Sequence, residues 1–401
     1  MDIRDMNDDR DLYGVELCLL IREALSAAIE GDFSAHNDHP FFSTRRAYDM
    51  FTEVEGLPLY PKTLPRVLLD WAKLDASVAW QKEDILVLDL ETTGLGRGGT
   101  IAFMIGLGYY DDGQYIVEQI FLPEPEAECN SFDRLIELLE KKSLLITFNG
   151  KTFDIPVLES RILYHRLWLN LREKQHLDLL HIARRLWKNK LPSCALESIE
   201  YYIMGHIRDK ELDIEGGDIP QTYFQFLING DPELIRRIFV HNQFDILHTA
   251  ALFALICDCI DTPVKVGSDH RIDYHALAKL YLSQGHADIG KNILIDLIAK
   301  DLLCPETAFE LGRIYKKEKD LQSAESCFAM SAALFHPPSV LELTKLLEKK
   351  KEFSAAKAWT EKLLLWHSSR VGEEAKIITE LNQRLARLTN KIIKAGTAPA
   401  V

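Results

Sequence analysis

The stretch Ile85-Leu86-Val87-Leu88-Asp89-Leu90-Glu91 is the most strand-like run in the chain, and it carries two acidic residues at its end. Side chains two apart share one face of a strand, so Asp89 and Glu91 are expected side by side on an apolar element. Burying them without a counter-charge would raise their pKa values. A lysine, an arginine or a bound cation would relieve this cost, and a solvated loop start is the alternative. For a cation, oxygen-only ligation favours magnesium or manganese.

A third acidic residue, Asp154, ends the motif FNGKTFD at residues 148–154. The motif follows a predicted strand from Leu144 to Phe148. Asp154 is expected at the N-cap of the next helix, with Pro156 in its first turn, where proline is tolerated. Capping alone would explain the aspartate, but its position at a strand-to-helix junction also favours a functional role.

A fourth acidic residue, Asp245, belongs to the motif HNQFDIL at residues 241–247. A long amphipathic helix is predicted to begin at Asp231-Pro232-Glu233. His241, Asp245 and His248 share one face of that helix at helical spacing. The face could complete a metal site with the first two acids, or it could be a solvated polar stripe. Below, "acidic cluster" means Asp89, Glu91, Asp154 and Asp245.

Composition indicates an ordinary globular protein. The 401 residues are enough for two or three domains, with 47% hydrophobic and 27% charged residues. The seven cysteines are scattered without zinc-binding spacing, which favours a reducing compartment. The longest apolar run, from Thr249 to Cys257, is shorter than a membrane span requires, and the acidic N-terminus is unlike a signal peptide. We expect a cytoplasmic protein that does not enter a membrane.

Three regions are predicted. Residues 1–80 are expected to form a mainly helical extension, and residues 81–262 a catalytic core. In the core, strands at 85–90, 101–110 and 115–121 form an antiparallel meander, with a hairpin signal at Asp111-Asp112-Gly113. Residues 270–395 are expected to be entirely helical.

The charge distribution bears on nucleic-acid binding. The net charge of −14 argues against nonspecific coating of nucleic acid. The stretch from Arg161 to Lys190 nevertheless holds eight basic residues against two acidic ones, with Tyr164, Trp168 and Trp187 interleaved. A cationic strip with aromatic residues could guide a strand towards the acidic cluster. A solvated helix face with ordinary core aromatics is the alternative.

The C-terminal region contains an internal repeat. Residues 276–281 (ALAKLY) recur as residues 310–315 (ELGRIY), and more loosely as residues 342–347 (ELTKLL). Small residues at Gly290, Ala324 and Ala356 keep nearly the same spacing. A period near 34 residues with paired helices is typical of tetratricopeptide repeats, which usually bind protein segments. The alternatives are a plain helical tail, or a tail whose lysines contact nucleic acid.

The order Asp-x-Glu, Asn-Gly-x-x-x-Asp, His-Asn-x-x-Asp resembles the three motifs of the DEDD (DnaQ-like) exonuclease superfamily over about residues 80–260. With its segments HLDLL (176–180), LPSCAL (191–196) and DIPQTY (218–223), the chain is similar to the YprB-type RNase H-like proteins of bacteria. The resemblance implies an α/β RNase H-like core, a mixed sheet flanked by helices. A tetratricopeptide-like helical domain follows this core. Glu215 stands where the family often has proline.

The resemblance also implies an activity, 3′–5′ exonuclease cleavage of DNA or RNA at a single-stranded 3′ end. The acidic cluster would hold two magnesium or manganese ions about 4 Å apart, and His241 is the candidate general base. His241 lies four residues before Asp245, where tyrosine-type members carry tyrosine, so orienting water, contacting phosphate and a structural role stay open. The candidates for positioning substrate are Thr92, Thr93, Asn149 and Lys151.

Two other functions remain compatible with the sequence. A catalytically inactive RNase H-like scaffold would act through its repeat domain, although all four acidic residues are present. A structure-specific endonuclease would use the same acidic cluster, and no sequence feature separates it from an exonuclease.

Overall fold

The computed structural model describes residues 20–36, 38–75, 77–94, 99–261, 265–302, 304–369 and 375–396. The chain divides into two compact units, Met1–Pro263 and Val264–Val401. We call them the sheet unit and the helical unit.

The sheet unit is built on a mixed seven-stranded sheet with the strand order β1-β2-β7-β6-β5-β8-β9. The pairs from β1 to β5 are antiparallel, whereas β8 and β9 are parallel to β5. A separate hairpin consists of β3 and β4. The strands are β1 (Asp32–Phe33), β2 (Phe42–Tyr48), β3 (Glu53–Val54), β4 (Leu57–Pro58), β5 (Ile85–Thr92), β6 (Ala102–Asp111), β7 (Gln114–Phe121), β8 (Leu144–Thr147) and β9 (Gln175–Asp178).

Helices complete the sheet unit. They are α1 (20–28), α2 (Arg66–Ala72), α3 (Glu128–Lys141), α4 (Asp154–Tyr164), α5 (Leu179–Trp187), α6 (Leu196–Ile199), α7 (Ile219–Asn229) and α8 (Pro232–Ile260). A single π-helical turn, Glu200–Met204, follows α6.

The predicted antiparallel meander is confirmed by β5, β6 and β7. The hairpin between β6 and β7 turns at Asp112 and Gly113, whose φ angles are 46° and 79°. Two positive φ values at a two-residue turn match the twist of the strands it joins, and Asp-Gly is a favoured pair there. The mixed sheet and the flanking helices agree with the predicted RNase H-like fold class.

The expectation that residues 1–80 are mainly helical is wrong for the described part of that region. Residues 31–60 contain four strands, and β2 pairs along its full length with β7. Phe42 and Thr44 of β2 are buried, whereas Arg45 and Arg46 are exposed. The consecutive arginines interrupt a clean alternation, and pairing with β7 stabilises the strand despite this weak local pattern. The domain boundaries at residues 80 and 262 remain a prediction.

Helix α8 begins at Pro232, as predicted, with the Asp231 side chain accepting a hydrogen bond from the Glu233 backbone N–H. The helix packs against β5, β6, β7 and the β3–β4 hairpin. Its length and mean hydropathy of 1.5 would suit a membrane span, but 78% of that window is buried within the protein. A core helix of a globular protein has the same length and hydropathy. These two properties are therefore only weak evidence that α8 crosses a membrane.

The helical unit contains consecutive helices that pack on one another, as predicted for an all-α region. They are α9 (Tyr274–Ser283), α10 (Ala287–Ala299), α11 (Pro305–Lys317), α12 (Leu321–Ala333), α13 (Pro337–Lys349), α14 (Phe353–Ser368) and α15 (Ala375–Gly396). Gly290, Ala324 and Ala356 are buried at the fourth position of α10, α12 and α14. At Gly290 a Cβ atom would lie 2.7 Å from the Leu282 side chain, which explains the need for a small residue.

Candidate functional site

The four residues of the acidic cluster come from three elements of the sheet unit. Asp89 and Glu91 lie on β5, Asp154 is the first residue of α4, and Asp245 lies on α8. Asp154 is not the N-cap that the sequence predicted, because Phe153 occupies that position and Asp154 is already helical. The Asp154 side chain is buried, with 4% of its surface exposed. Its carboxylate is therefore not explained by capping.

The pKa values show that these carboxylates lie within electrostatic reach of one another. Burial, followed by repulsion from Asp245, raises the pKa of Asp89 to about 7. Burial, followed by repulsion from Asp89, raises the pKa of Glu91 to about 8. The pKa of Asp154 is raised well above its usual value by burial and then by Asp89 and Glu91. The structure thus brings Asp89 and Glu91 of β5 near both Asp154 and Asp245.

The guanidinium of Arg208 supplies positive charge beside the acidic cluster. Its Nη2 donates to Asp245 Oδ1 at 2.5 Å, and its Nε donates to Glu200 Oε2 at 2.6 Å. Burial lowers the pKa of Arg208, but bonds to Glu200 and the charge of Asp245 outweigh burial and raise it. Neither Arg208 nor Glu200 was identified from the sequence.

His241 is the second local cation. Its Nδ1 lies 2.8 Å from Asp213 Oδ1, and its Nε2 lies 3.5 Å from Asp245 Oδ2 and 4.0 Å from Glu91 Oε1. Burial lowers its pKa, but Asp245, Asp213 and Glu91 outweigh burial and raise the pKa to about 10. These carboxylates favour the protonated ring, whose Nε2 is directed towards the acidic cluster, while Arg208 Nη1 lies 3.1 Å from Nδ1.

The donor set fits a hard divalent cation. Four carboxylates supply oxygen ligands, and burial with mutual repulsion makes their shared charge costly without a cation. Because each carboxylate offers two oxygens, the cluster has enough ligands for magnesium or manganese with positions left for water or substrate.

A chain of hydrogen bonds that runs across the sheet orients Asp89. Asn242 Nδ2 donates to Asp89 Oδ2 at 3.0 Å, and Gln119 Nε2 donates to Asn242 Oδ1 at 3.0 Å. Thr44 Oγ1 donates to Gln119 Oε1 at 3.1 Å. All three supporting side chains are buried. Strand β2, outside the predicted core, therefore helps to orient a residue of the acidic cluster.

The predicted substrate-positioning residues lie at the end of β5 (Thr92), directly after it (Thr93), and in the turn between β8 and α4 (Asn149 and Lys151). The Thr92 hydroxyl donates to the Gly94 carbonyl at 2.9 Å, and the Thr93 hydroxyl accepts from the Ile101 N–H at 3.0 Å. The backbone N–H groups of Asn149 and Lys151 donate to the two carboxylate oxygens of one residue, Asp178, which thereby holds the turn. Both threonine hydroxyls thus bond to backbone groups of the segment that follows β5. The role of all four residues in substrate positioning remains a prediction.

An open cleft of about 1330 Å³ borders His241 and Asp245. Two neighbouring tyrosines in its wall, Tyr201 and Tyr202, each expose 54% of their surface. Arg208 and Lys210 add positive charge to the cleft, whereas Glu197, Glu215 and Asp218 add negative charge. The sequence did not single out the two tyrosines or the two basic residues, because the loop and the π-helical turn that carry them have no periodic pattern.

The predicted basic strip between Arg161 and Lys190 is only partly a free surface. Arg161 Nε donates to Glu128 Oε1 at 2.8 Å, and Trp187 exposes 1% of its surface. The Arg185 guanidinium lies over the Trp71 ring. Tyr164 and Trp168 are exposed. Part of the strip is therefore ordinary helix packing, as the alternative interpretation held.

Comparison with known proteins agrees with this geometry. A family model described as RNase H superfamily matches residues 86–257, which include all four residues of the acidic cluster. The uncharacterized protein YprB of Bacillus subtilis is 32% identical over 320 residues, which cover 78% of this chain and 76% of YprB. The chain therefore carries an RNase H superfamily domain and belongs to the same family as YprB. RNase H-like nucleases generally use divalent metals, and this superfamily fold indicates nuclease or hydrolase activity and binding of nucleic acid.

One further relative and one solved structure show lower similarity. The uncharacterized protein MJ0365 of Methanocaldococcus jannaschii is 28% identical over 177 residues, which cover 43% of this chain and 95% of that protein. A family B DNA polymerase from Pyrobaculum calidifontis shares 13% identity with a TM-score of 0.34. That match covers 51% of this chain but only 29% of the polymerase chain.

Proposed function

We propose that the protein is a metal-dependent nuclease that removes nucleotides from the 3′ end of DNA or RNA. The observation that carries this proposal is the acidic cluster: four carboxylates from β5, α4 and α8 share one site beside a cleft. Their mutual repulsion and burial lower the stability of the fold. In a purely structural role, well-packed apolar residues could replace them without this cost.

The acidic cluster would hold two magnesium or manganese ions. Such ions activate the attacking water and stabilise the leaving oxygen of a phosphodiester. Asn242 keeps the Asp89 carboxylate oriented, and Asp213 keeps the His241 ring oriented with Nε2 towards the site. His241 can hold a proton at Nε2 near the reacting groups, and the general-base role predicted for it rests on losing that proton.

The side chains that line the cleft are the basis for proposing a single-stranded substrate. Base stacking on exposed aromatic side chains is tolerant of sequence, and basic residues pair with the backbone phosphates. Tyr201 and Tyr202 offer exposed rings, while Lys210 offers an exposed ammonium group. We therefore favour a separated 3′ end over an intact duplex.

The test is cleavage of 5′-labelled single- and double-stranded DNA and RNA by the purified protein, with manganese, magnesium or EDTA. The expected result is metal-dependent shortening from the 3′ end. Asp89→Asn and Asp245→Asn should each lower the rate by at least about 10²-fold, because each removes an anionic ligand. Asp209→Asn is the matched control, since Asp209 lies on the exposed loop one residue after Arg208.

Other outcomes favour the alternatives. Cleavage of a circular single strand would indicate an endonuclease. Cleavage in EDTA, or full activity of Asp89→Asn, would contradict the metal mechanism. Binding without cleavage of any substrate would support the inactive scaffold.

We further propose that the helical unit is a tetratricopeptide-like array that binds a protein partner in the cytoplasm. The equivalent small residues of α10, α12 and α14 support a repeating helix pair. Such arrays present extended surfaces to peptide segments.

A further inference from the structure

A second group of metal-ligating side chains lies in the sheet unit, apart from the acidic cluster. Glu55, His206 and His248 each place a ligand atom within 4.8 Å of the others'. They come from the turn between β3 and β4, the loop after the π-helical turn, and α8. Nothing in the RNase H-like fold or the proposed nuclease chemistry requires these three residues.

The His248 ring leaves one nitrogen without a partner. The side chain is fully buried, and its Nδ1 lies 2.8 Å from Glu200 Oε1. Its Nε2 has no hydrogen-bond partner among the residues that the structure describes. A buried nitrogen of this kind is costly unless something binds it.

The contact with Glu200 determines which nitrogen is free to act as a ligand. Both Glu200 oxygens also accept hydrogen bonds from Arg208, at 2.6 Å from Nε and 2.7 Å from Nη2, so this carboxylate is an acceptor in these contacts. Donation from His248 Nδ1 to Glu200 leaves Nε2 as the ring nitrogen that can act as a ligand. A carboxylate that accepts from the opposite nitrogen is the usual support of a metal-bound histidine.

The other two residues lie next to that lone pair. The His206 and His248 ring centroids are 4.4 Å apart, and His206 Nδ1 lies 2.8 Å from Glu55 Oε1. The Glu55 and His206 side chains expose 36% and 14% of their surface, so an ion could enter from solvent. Glu55 lies in the tight turn between β3 and β4 and has a φ of 53°, which is uncommon for a residue other than glycine.

We propose that Glu55, His206 and His248 bind one divalent transition-metal ion of the zinc type. Two imidazoles and one carboxylate suit zinc better than magnesium or manganese, which prefer oxygen ligands alone. Three protein ligands leave a coordination position for water. The ion would connect the β3–β4 hairpin to α8, and Glu200 would connect it to Arg208 and so to Asp245.

The test measures zinc bound by the full-length protein in millimolar magnesium, which occupies oxygen-only sites. After treatment with a chelator and dialysis, equilibrium dialysis with metal analysis should give one tightly bound zinc per chain. Glu55→Gln and His206→Gln should each weaken binding by at least about tenfold, and His248→Gln by more. Because His248 is buried, the first two variants test the site if the third fails to fold. His270→Gln is the control, since its side chain is 94% exposed in the helical unit.

Cobalt gives an independent readout. Cobalt bound to the wild type should show the visible absorption of an imidazole-ligated ion, and His206→Gln should lack it. Asp89→Asn should keep both this absorption and the zinc. Equal zinc binding by the wild type and His206→Gln would overturn the proposal. Loss of zinc in Asp89→Asn would also overturn it, since the ion would then belong to the acidic cluster.

Discussion

At the scale of single residues, the acidic cluster is defined as much by its neighbours as by its carboxylates. Arg208 bonds Asp245, and Asp213 holds His241 at 2.8 Å. A histidine oriented by a carboxylate is a recurring catalytic arrangement, because the carboxylate fixes which ring nitrogen faces the substrate. The pair Asp213–His241 is therefore expected to act as one unit.

We predict that His241→Ala and Asp213→Asn each lower kcat by about 10²-fold with little change in KM, since both residues affect reacting groups rather than binding. The double variant should be no slower than the slower single variant, as expected for residues that act together. Steady-state kinetics on a labelled oligonucleotide would measure this. Additive effects of the two substitutions would show that Asp213 acts apart from His241, and full activity of His241→Ala would remove the catalytic role of the histidine.

The sequence identified the acidic residues but not the residues that balance them. Asp89 and Glu91 stand out because they interrupt an apolar strand, and Asp245 because it shares one helix face with His241 and His248. Arg208, Glu200 and Asp213 lie in segments without periodicity, and charged residues in such segments are usually solvated. Only the three-dimensional fold brings their charges together.

At the scale of elements, the close packing of β6 on α8 places Asp245 and Asn242 next to β5. Gly106 makes this packing close, because a Cβ atom there would lie 2.4 Å from Asn242 Oδ1. Asn242 is fully buried and bonded to both Gln119 and Asp89, so it has little room to move.

We predict that Gly106→Ala destabilises the protein by about 2 kcal/mol and lowers nuclease activity, since the new methyl group displaces the side chain that orients Asp89. Denaturant unfolding followed by an activity assay would measure both effects. Gly217→Ala is the matched control, because nothing lies within 4 Å of a Cβ at that position. Wild-type stability and activity in Gly106→Ala would show that the backbone of β6 adjusts freely.

The contact between β8 and β9 should make stability depend on pH. The Thr147 hydroxyl accepts from the Gly150 N–H at 3.2 Å and lies 2.9 Å from His176 Nε2. Burial, followed by the charge of Lys151, lowers the pKa of His176 to about 4. The folded state therefore favours a neutral ring, whereas the unfolded chain binds a proton near pH 6.5.

We predict that the neutral His176 ring contributes on the order of 2 kcal/mol to the free energy of unfolding. This contribution is fully present above pH 6.5 and is lost as the pH falls towards 4. In His176→Gln the stability should fall less steeply over that range, because glutamine does not titrate. Unfolding at several pH values would give the slope, with His270→Gln, whose side chain is 94% exposed, as the control. An unchanged slope in His176→Gln would contradict the prediction.

Elements with a strong local pattern were predicted well, and those that depend on distant partners were not. The apolar run of β5, the Asp-Gly turn and the start of α8 at Pro232 follow from local chemistry. Strand β2 was missed because its arginines obscure the alternation, and its stability depends on pairing with β7, more than 60 residues later. The position of Asp154 differed by one residue, since helix caps depend on backbone detail.

At the scale of the whole molecule, each unit has its own buried core. One core cluster lies within residues 25–239 and another within residues 324–388. Units with separate cores commonly unfold in separate transitions. Ligands stabilise only the unit that binds them.

We predict two calorimetric transitions. Manganese should raise the midpoint temperature of the transition that belongs to the sheet unit and leave the other unchanged. At a manganese concentration of 100 Kd the stabilisation should be about 2.7 kcal/mol. Asp89→Asn should abolish this shift while leaving the transition of the helical unit in place. A single transition that moves as a whole with manganese would show instead that the two units unfold cooperatively.

Arg208 has a consequence for how the proposed enzyme would respond to metal supply. A guanidinium keeps its charge at any physiological pH, so Asp245 always has a cationic neighbour. When a metal ion binds next to Asp245, the carboxylate gains the ion in place of its contact with Arg208. Its charge is already balanced before the ion arrives. The chain would remain folded through periods of metal scarcity and regain function on resupply, so metal availability rather than new synthesis would set the active fraction.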